Sequence, residues 1–181
     1  FSAHNVSAGT IYSYPAYPGA TSSPLYTVKA DNKTIFTEKL TQFSGEMEVH
    51  YANFSLEGIA TLQVTVKESF SSYTLSPKSR NISTTRNGNA LTFKTGPNYL
   101  VLKVDSKELL FILIDYPEKN PPKLSDSNVK NIMDYGVDNK GTKLETKNIQ
   151  SAINAASTSS KNILYFPPGK YLTGEIFLKS N

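Results

Sequence analysis

The sequence predicts a mainly β protein in three parts: a β-sandwich over residues 1–118, a proline-rich linker over 119–130, and a terminal segment over 131–181. Three observations carry this reading. Short apolar runs recur through the first two thirds, with turn residues roughly every 8–12 positions. Prolines at Pro117, Pro121 and Pro122 then break the rhythm, removing amide donors and stiffening the chain. Beyond them, one stretch spaces its apolar residues as a helix does.

The strands follow in order. The run 25–30 (LYTVKA) is the first, and Asp31-Asn32 turns it into Thr34-Ile35-Phe36-Thr37. Runs 48–54 (EVHYANF) and 60–66 (ATLQVTV) come next; in the latter, Val64 and Val66 alternate with Thr61, Gln63 and Thr65, the period of a half-buried strand. Arg86-Asn87-Gly88-Asn89 is a hairpin turn ahead of 90–93 (ALTF). Runs 99–104 (YLVLKV) and 109–114 (LLFILI) are joined by Asp105-Ser106-Lys107 as a further hairpin.

In the terminal segment, Thr142-Lys143-Leu144-Glu145 fits a capping box, with Thr142 as N-cap and Glu145 reaching back to its amide. Ile149, Ala152, Ile153 and Ala156 then form one apolar stripe, and Ser157 to Ser160 ends the helix. A buried-type strand, Ile163-Leu164-Tyr165-Phe166, meets the corner Pro167-Pro168-Gly169, where Gly169 is suited to positive φ. A second strand alternates Tyr171, Thr173, Glu175, Phe177 and Lys179 with Leu172, Gly174, Ile176 and Leu178. One helix and two or three short strands cannot bury this apolar set. Leu164, Phe166, Leu172, Ile176 and Leu178 are therefore expected to face a downstream segment or another chain.

Composition narrows the function classes. Hydrophobic residues make up 38% and charged residues 19%, a globular balance. The longest apolar run, 109–114, has strand length, far below the ~18 residues of a membrane span. With no cysteine, a disulfide scaffold and a thiolate metal site are excluded. The net charge of +4 comes from 17 lysines against two arginines, Arg80 and Arg86. The lysines are scattered singly, unlike the Arg–aromatic clusters of nucleic-acid readers, so no nucleic-acid partner is expected. A mildly basic surface also suits an acidic polysaccharide. The chain starts at Phe1, which a cleaved secretory signal or cloning would each explain. The sequons at Asn5, Asn32, Asn53 and Asn81 are about as many as chance supplies in a chain this rich in Asn, Ser and Thr.

Each residue able to do chemistry has a plainer role beside it. Hydrolysis of a glycosidic bond with inversion needs two carboxylates ~6.5–9.5 Å apart. The candidates in the terminal segment are Asp134, Asp138, Glu145 and Glu175. Glu145 is better explained as a capping residue, Asp138 as a turn residue before Asn139 and Gly141, Asp134 as a loop cap, and Glu175 as an exposed-face charge near Lys179. Asp134, Asp138 and Asn139 could be read as metal ligands, but the EF-hand spacing is missing. A Ser-His-Asp site would need His50 as base, and His50 lies in a strand-like run without a nucleophile motif. Tyr12, Tyr14 and Tyr17, interleaved with Pro15 and Pro18, could form a sugar-stacking platform; the plainer role is an extended segment packing its rings on the sandwich. There is no Trp.

One ordered set of motifs goes further. Asp134-Tyr135-Gly136-Val137-Asp138-Asn139-Lys140-Gly141-Thr142, Ile149-Gln150-Ser151-Ala152-Ile153-Asn154-Ala155-Ala156, Tyr165-Phe166-Pro167-Pro168-Gly169-Lys170-Tyr171-Leu172-Thr173-Gly174 and Leu178-Lys179-Ser180-Asn181 together resemble the start of right-handed parallel β-helix proteins. The nearest likeness is to polygalacturonase-like glycoside hydrolases of family 28 and their pectin-lyase-fold relatives. More loosely, Tyr73-Thr74-Leu75-Ser76-Pro77-Lys78-Ser79-Arg80, the Asn87-Gly88 hairpin and the strand over 110–117 resemble the sandwich that precedes the β-helix in some members and in the dextranase and isopullulanase family. The resemblance implies that 131–181 is the capping helix and first coil of a parallel β-helix. It also implies that the parent is a secreted polysaccharide-degrading hydrolase. The family's catalytic aspartates, Gly-His-Gly element and basic motif lie on later coils; neither His4 nor His50 is flanked by glycines. No catalytic, cofactor or metal residue is therefore assigned in this chain, and no cofactor is expected. The expected partner is a polysaccharide substrate acting through the parent, with association through the open β-helix end. The alternatives are a non-catalytic carbohydrate-binding or tail-spike-like adhesin module, and a lyase of the same fold with a basic proton acceptor on later coils.

Overall fold

A computed structural model describes residues 9–41, 48–158 and 163–179. His4, the Asn5 sequon, the Ser159-Ser160 end of the expected helix and the Ser180-Asn181 part of the last motif lie outside them. The protein is mainly β and forms two compact units: Phe1–Ala16 with Ala20–Pro117, and Tyr17–Gly19 with Glu118–Asn181.

In chain order the first unit holds β1 (Thr10–Ser13), β2 (Tyr26–Ala30), β3 (Lys33–Ile35), β4 (Thr37–Thr41), β5 (Glu48–Glu57), β6 (Ala60–Val66), β7 (Tyr73–Ser76), β8 (Thr84–Asn87), β9 (Ala90–Thr95), β10 (Asn98–Val104) and β11 (Leu109–Asp115). One sheet has the order β1-β5-β11-β10-β7, with β4 also on β5; the other has the order β3-β2-β6-β9-β8. All pairings are antiparallel except β5 with β11, where Phe111 faces Tyr51 and Ile112 faces Ala52. Adjacent parallel strands need a crossover. Here the intervening chain passes through the other sheet as β6, β8 and β9.

Period-two alternation builds the core. In β6, Ala60, Leu62, Val64 and Val66 point inward; in β10, Leu100, Leu102 and Val104 do so; in β11, Leu110, Ile112 and Ile114. These residues of both sheets belong to a single hydrophobic cluster. The hairpin turns are those the sequence signals: Asp31 and Asn32 both take positive φ (43° and 68°), and Gly88 follows at 57°. Strands β1, β4, β7 and β8 were not legible as separate runs, being short and polar.

The second unit contains β12 (Val129–Asn131), a 3-10 turn (Ile132–Tyr135), β13 (Lys140–Leu144), α1 (Thr146–Ser157), β14 (Ile163–Tyr165) and β15 (Lys170–Leu172). Strand β12 pairs with β14 and β13 with β15, both in parallel: Val129 opposes Ile163, Lys140 opposes Lys170 and Leu144 opposes Leu172. The chain thus lays β14 and β15 beside the β12 and β13 it made before the helix. Three sequence expectations are corrected here. Val129 and Lys130, read as the end of a linker, open a strand. Residues 140–144, read as loop and helix cap, form another. The strand expected over 171–179 ends at Leu172, because helix side chains take the amides that follow: Gly174 N–H donates to Thr146 Oγ1 at 2.7 Å and Phe177 N–H to Gln150 Oε1 at 2.7 Å.

Gly169 is also used differently from its expected positive φ, for it takes no such angle. What it provides is space. A Cβ there would lie 2.5 Å from Asn139 O and 2.8 Å from Asn139 Cβ. Gly169→Ala should therefore lower stability by about 1–3 kcal/mol through forced backbone displacement. Chemical denaturation of the two proteins checks this, and coincident curves would refute it.

His50 faces inward with Ala52, Phe54 and Leu56 on β5, its ring edge-on to Tyr26 at 5.2 Å. Burial pushes its pKa below the ordinary histidine value. The unfolded chain then binds the proton more readily, so stability should fall as pH drops below about 6.5 and keep falling to the lowered folded value. Urea midpoints at about pH 7.5 and about pH 5.5 should differ in the parent and converge in His50→Phe.

Candidate functional site

Two of the four carboxylates singled out in the sequence, Asp138 and Glu145, are engaged in holding the second unit together. The Asp138 carboxylate accepts from the Thr142 amide at 3.1 Å and the Thr142 hydroxyl at 2.8 Å, and these bonds hold its pKa below the ordinary carboxylate range. Its role is that of a turn residue, as the spacing before Gly141 suggests. Glu145 is buried; one oxygen accepts from the Asp138 amide at 3.1 Å and the other from Asn148 Nδ2 at 2.7 Å. Asp134 sits in the first turn of the 3-10 segment, and Glu175 is exposed beyond β15.

The capping box is not formed. Helix α1 starts at Thr146, Glu145 occupies the N-cap position without a side-chain cap, and Thr142 lies within β13. Tertiary pairing explains the difference. The Glu145 amide, which a capping box would give to the Thr142 hydroxyl oxygen, donates instead to Leu172 O on β15 at 2.8 Å. The Thr142 amide still meets a carboxylate, but that of Asp138 rather than Glu145. Asn139, proposed with Asp134 and Asp138 as a metal ligand, donates its side-chain amide to Pro168 O at 3.2 Å. Among the described residues no group of three or more histidines and carboxylates could hold a metal ion.

His50 is 1% exposed, which closes its ring to a substrate. The tyrosines weighed as a sugar-stacking platform, with packing on the sandwich as the plainer role, fall in different units. Tyr14 donates to or accepts from Ser55 Oγ at 2.6 Å in the first, tying its segment to β5, whereas the Tyr17 ring lies 5.8 Å from Lys170 Nζ in the second. The more exposed tyrosines are Tyr99 and Tyr116, which sequence reasoning missed. Their signal was available but faint: Tyr99 is an outward position of an alternating strand, and Tyr116 follows the last core residue by two.

The second unit has an open apolar side. Ile132, Val137, Ile149 and Ala152 form its core, with Leu164, Tyr171 and Ile176 packed against it. Leu164 and Ile176, expected to lack cover, are thus half-buried within the unit. Phe166, Leu172 and Leu178 are exposed as expected, joined by Phe177. Ile153, Ala156, Leu164, Phe166, Ile176 and Leu178 line a cleft of about 390 Å³ on this side.

Residues 129–181 match the family described as rhamnogalacturonase A/epimerase, pectate lyase-like. No curated protein matches the chain. Among solved structures, Dex49A from Penicillium minioluteum is similar in fold, with a TM-score of 0.53 at 11% identity. That likeness covers 87% of this chain, so it extends into the first unit, while this chain spans 38% of the length of Dex49A. The resemblance to pectin-lyase-like proteins read from the motifs is therefore supported for the second unit by a family match and by fold.

Two replacements separate the observed helix start from the expected one. Glu145→Ala strands the half-buried Asp138 amide and the Asn148 side chain and should cost about 1–3 kcal/mol, whereas Thr142→Ala removes one bond to a half-exposed carboxylate and should cost under about 1 kcal/mol. Denaturation midpoints in that order support the observed geometry; the reverse order would place the cap at Thr142.

Proposed function

We propose that this chain is the N-terminal part of a secreted polysaccharide-degrading glycoside hydrolase. Residues 9–117 are an accessory β-sandwich, and the second unit is the cap and opening coils of a right-handed parallel β-helix. The observation that carries this is the pair of parallel registers, Val129 with Ile163 and Lys140 with Lys170. A chain that returns after each circuit to pair in parallel with its previous circuit is a solenoid. Connections of this kind are right-handed in about 98% of cases. The coil begins earlier than the motifs alone imply, with β12 and β13 as its first layer and β14 and β15 as its second. Exposed Phe166, Leu172 and Leu178 then lie where a further coil would stack.

The description of the matched family names a rhamnogalacturonase and a pectate-lyase-like protein, which favours a polysaccharide as substrate. Cleavage by hydrolysis would use two carboxylates as general acid and base across the scissile bond. Asp138 and Glu145 are already satisfied by local donors, so the reacting pair is assigned to coils beyond those described. This unit's contribution is to seed the stack on which those coils are held.

The test is reducing-sugar release from pectate, rhamnogalacturonan and dextran by residues 1–181 and by the longer polypeptide carrying the later coils. The longer protein should depolymerise at least one of them and the 181-residue chain none. Activity of the 181-residue chain that is lost in Asp138→Asn would overturn the assignment.

A further inference from the structure

We propose that the first unit carries its own binding site for an acidic oligosaccharide, centred on Arg80, Tyr99 and Tyr116. Two clefts open on this unit and share Arg80 and Asn98. One, of about 300 Å³, is walled by Pro77, Pro97, Tyr99, Asp115 and Tyr116; the other, of about 560 Å³, includes Asp31, Thr61 and Lys94. Both volumes fall within the ~300–1,000 Å³ typical of small-ligand sites.

The aromatic wall has the form a sugar ring needs. Tyr99 is 61% exposed and Tyr116 76%, an unusual outlay of large rings in a single cleft. A pyranose presents an apolar C–H face that packs on such rings and a rim of hydroxyls that seeks polar partners. The Tyr99 hydroxyl donates to the Asp115 carboxylate, which orients the ring while leaving its faces open. The Asn98 side-chain oxygen accepts from the Tyr99 amide at 3.1 Å, so its NH2 group is left to donate to a ligand.

Charge decides the class of sugar. The two arginines of the chain have different fates. Arg86 is engaged within the fold: it donates to Gly88 O, Ser71 O and Phe70 O and its guanidinium lies 3.8 Å over the Phe70 ring. Arg80 is exposed and its side chain makes no hydrogen bond or ion pair among the described residues, although its backbone is held by a 3-10 turn with Arg80 N–H on Pro77 O at 3.1 Å. Lys94 is likewise exposed and unpaired among the described residues. The carboxylates beside them are already served, Asp31 by the Thr61 amide at 2.8 Å and Asp115 by Tyr99. The clefts therefore offer a guanidinium fork that matches an incoming carboxylate in two parallel hydrogen bonds. A uronic acid supplies both the carboxylate and the stacking face. A polyphosphate chain fits less well, because Asp115 and Asp31 line the same clefts beside Arg80 and Lys94.

This inference rests on the first unit alone and does not depend on the coil reading of the second. The test is isothermal titration of the 181-residue chain with a short oligogalacturonide, a neutral oligosaccharide of equal length and an oligothymidylate. The oligogalacturonide should bind most tightly, with affinity that falls as salt rises. Arg80→Gln and Tyr116→Ala should each weaken it by about tenfold or more, while Lys103→Gln on β10 leaves it unchanged. Both residues are exposed, and matching circular dichroism spectra establish that the variants fold. Absence of binding, equal affinity for the neutral sugar, tighter binding of the oligothymidylate, or an Arg80→Gln protein that binds as the parent does would each overturn the proposal.

Discussion

The second unit depends on one close approach of backbone to backbone. Lys170 N–H donates to Asn139 O at 2.7 Å, and a side chain on the neighbouring Gly169 would collide with that same oxygen. The corner at 167–169 can therefore sit directly against the corner at 138–139. That contact sets β15 beside β13, and Gly141, at a φ of 70°, absorbs the irregularity in the ladder. Once β15 is in place its Leu172 carbonyl takes the Glu145 amide, and the start of α1 is fixed by a neighbouring strand. Helix and corner then hold the chain that follows, through Thr146 to Gly174 and Gln150 to Phe177.

The first unit is governed by a different constraint, the joining of its two sheets. Tyr26 on β2 donates its hydroxyl to Glu108 O ahead of β11 at 2.6 Å, and burial with nearby Glu108 and Glu68 pushes its pKa up to about 12. The phenol stays a donor throughout the accessible pH range. Two polar groups buried in this unit are served from within: Glu38 accepts from the Tyr51 hydroxyl at 2.6 Å, and Ser23 Oγ accepts from the amides of Leu25 and Tyr26, whereas His50 Nδ1 and Asn53 Oδ1 have no hydrogen-bond partner among the described residues. Such bonds offset the desolvation that burial imposes. An apolar core gives stability without direction; of these bonds, the one from Tyr26 to Glu108 O links a strand of one sheet to the segment entering the other.

The chemistry of individual residues is partly legible in the order of the amino acids. That Asp138 is a turn residue follows from the Asn139 and Gly141 beside it, and that His50 faces inward follows from the alternation of its strand. Partnership is not legible in this way. Arg80 and Arg86 are equivalent in the sequence, each flanked by polar residues. Only the fold shows that Arg86 reaches the carbonyls of residues 70 and 71, while the Arg80 side chain stays in the open cleft. Similarly, Tyr12, Tyr14 and Tyr17 are neighbours along the chain, and Tyr99 and Tyr116 are not, yet the latter pair shares a cleft.

Local and periodic features follow from the amino-acid order alone. These are the inward face of each long strand, the Asp31-Asn32 and Gly88 hairpins, the apolar stripe of α1, and the likeness of the last 50 or so residues to pectin-lyase-like proteins. They depend on neighbours within a few residues, where steric preference and side-chain period act directly. The short strands β12 and β13, the true start of the helix and the early end of β15 were settled by tertiary pairing instead. Each is too short to be stable by its own propensity and exists through hydrogen bonds to a partner about 30 residues away in sequence. A backbone amide has one proton to give, and whether it goes to Thr142's expected cap or to a distant carbonyl is settled only when that carbonyl arrives.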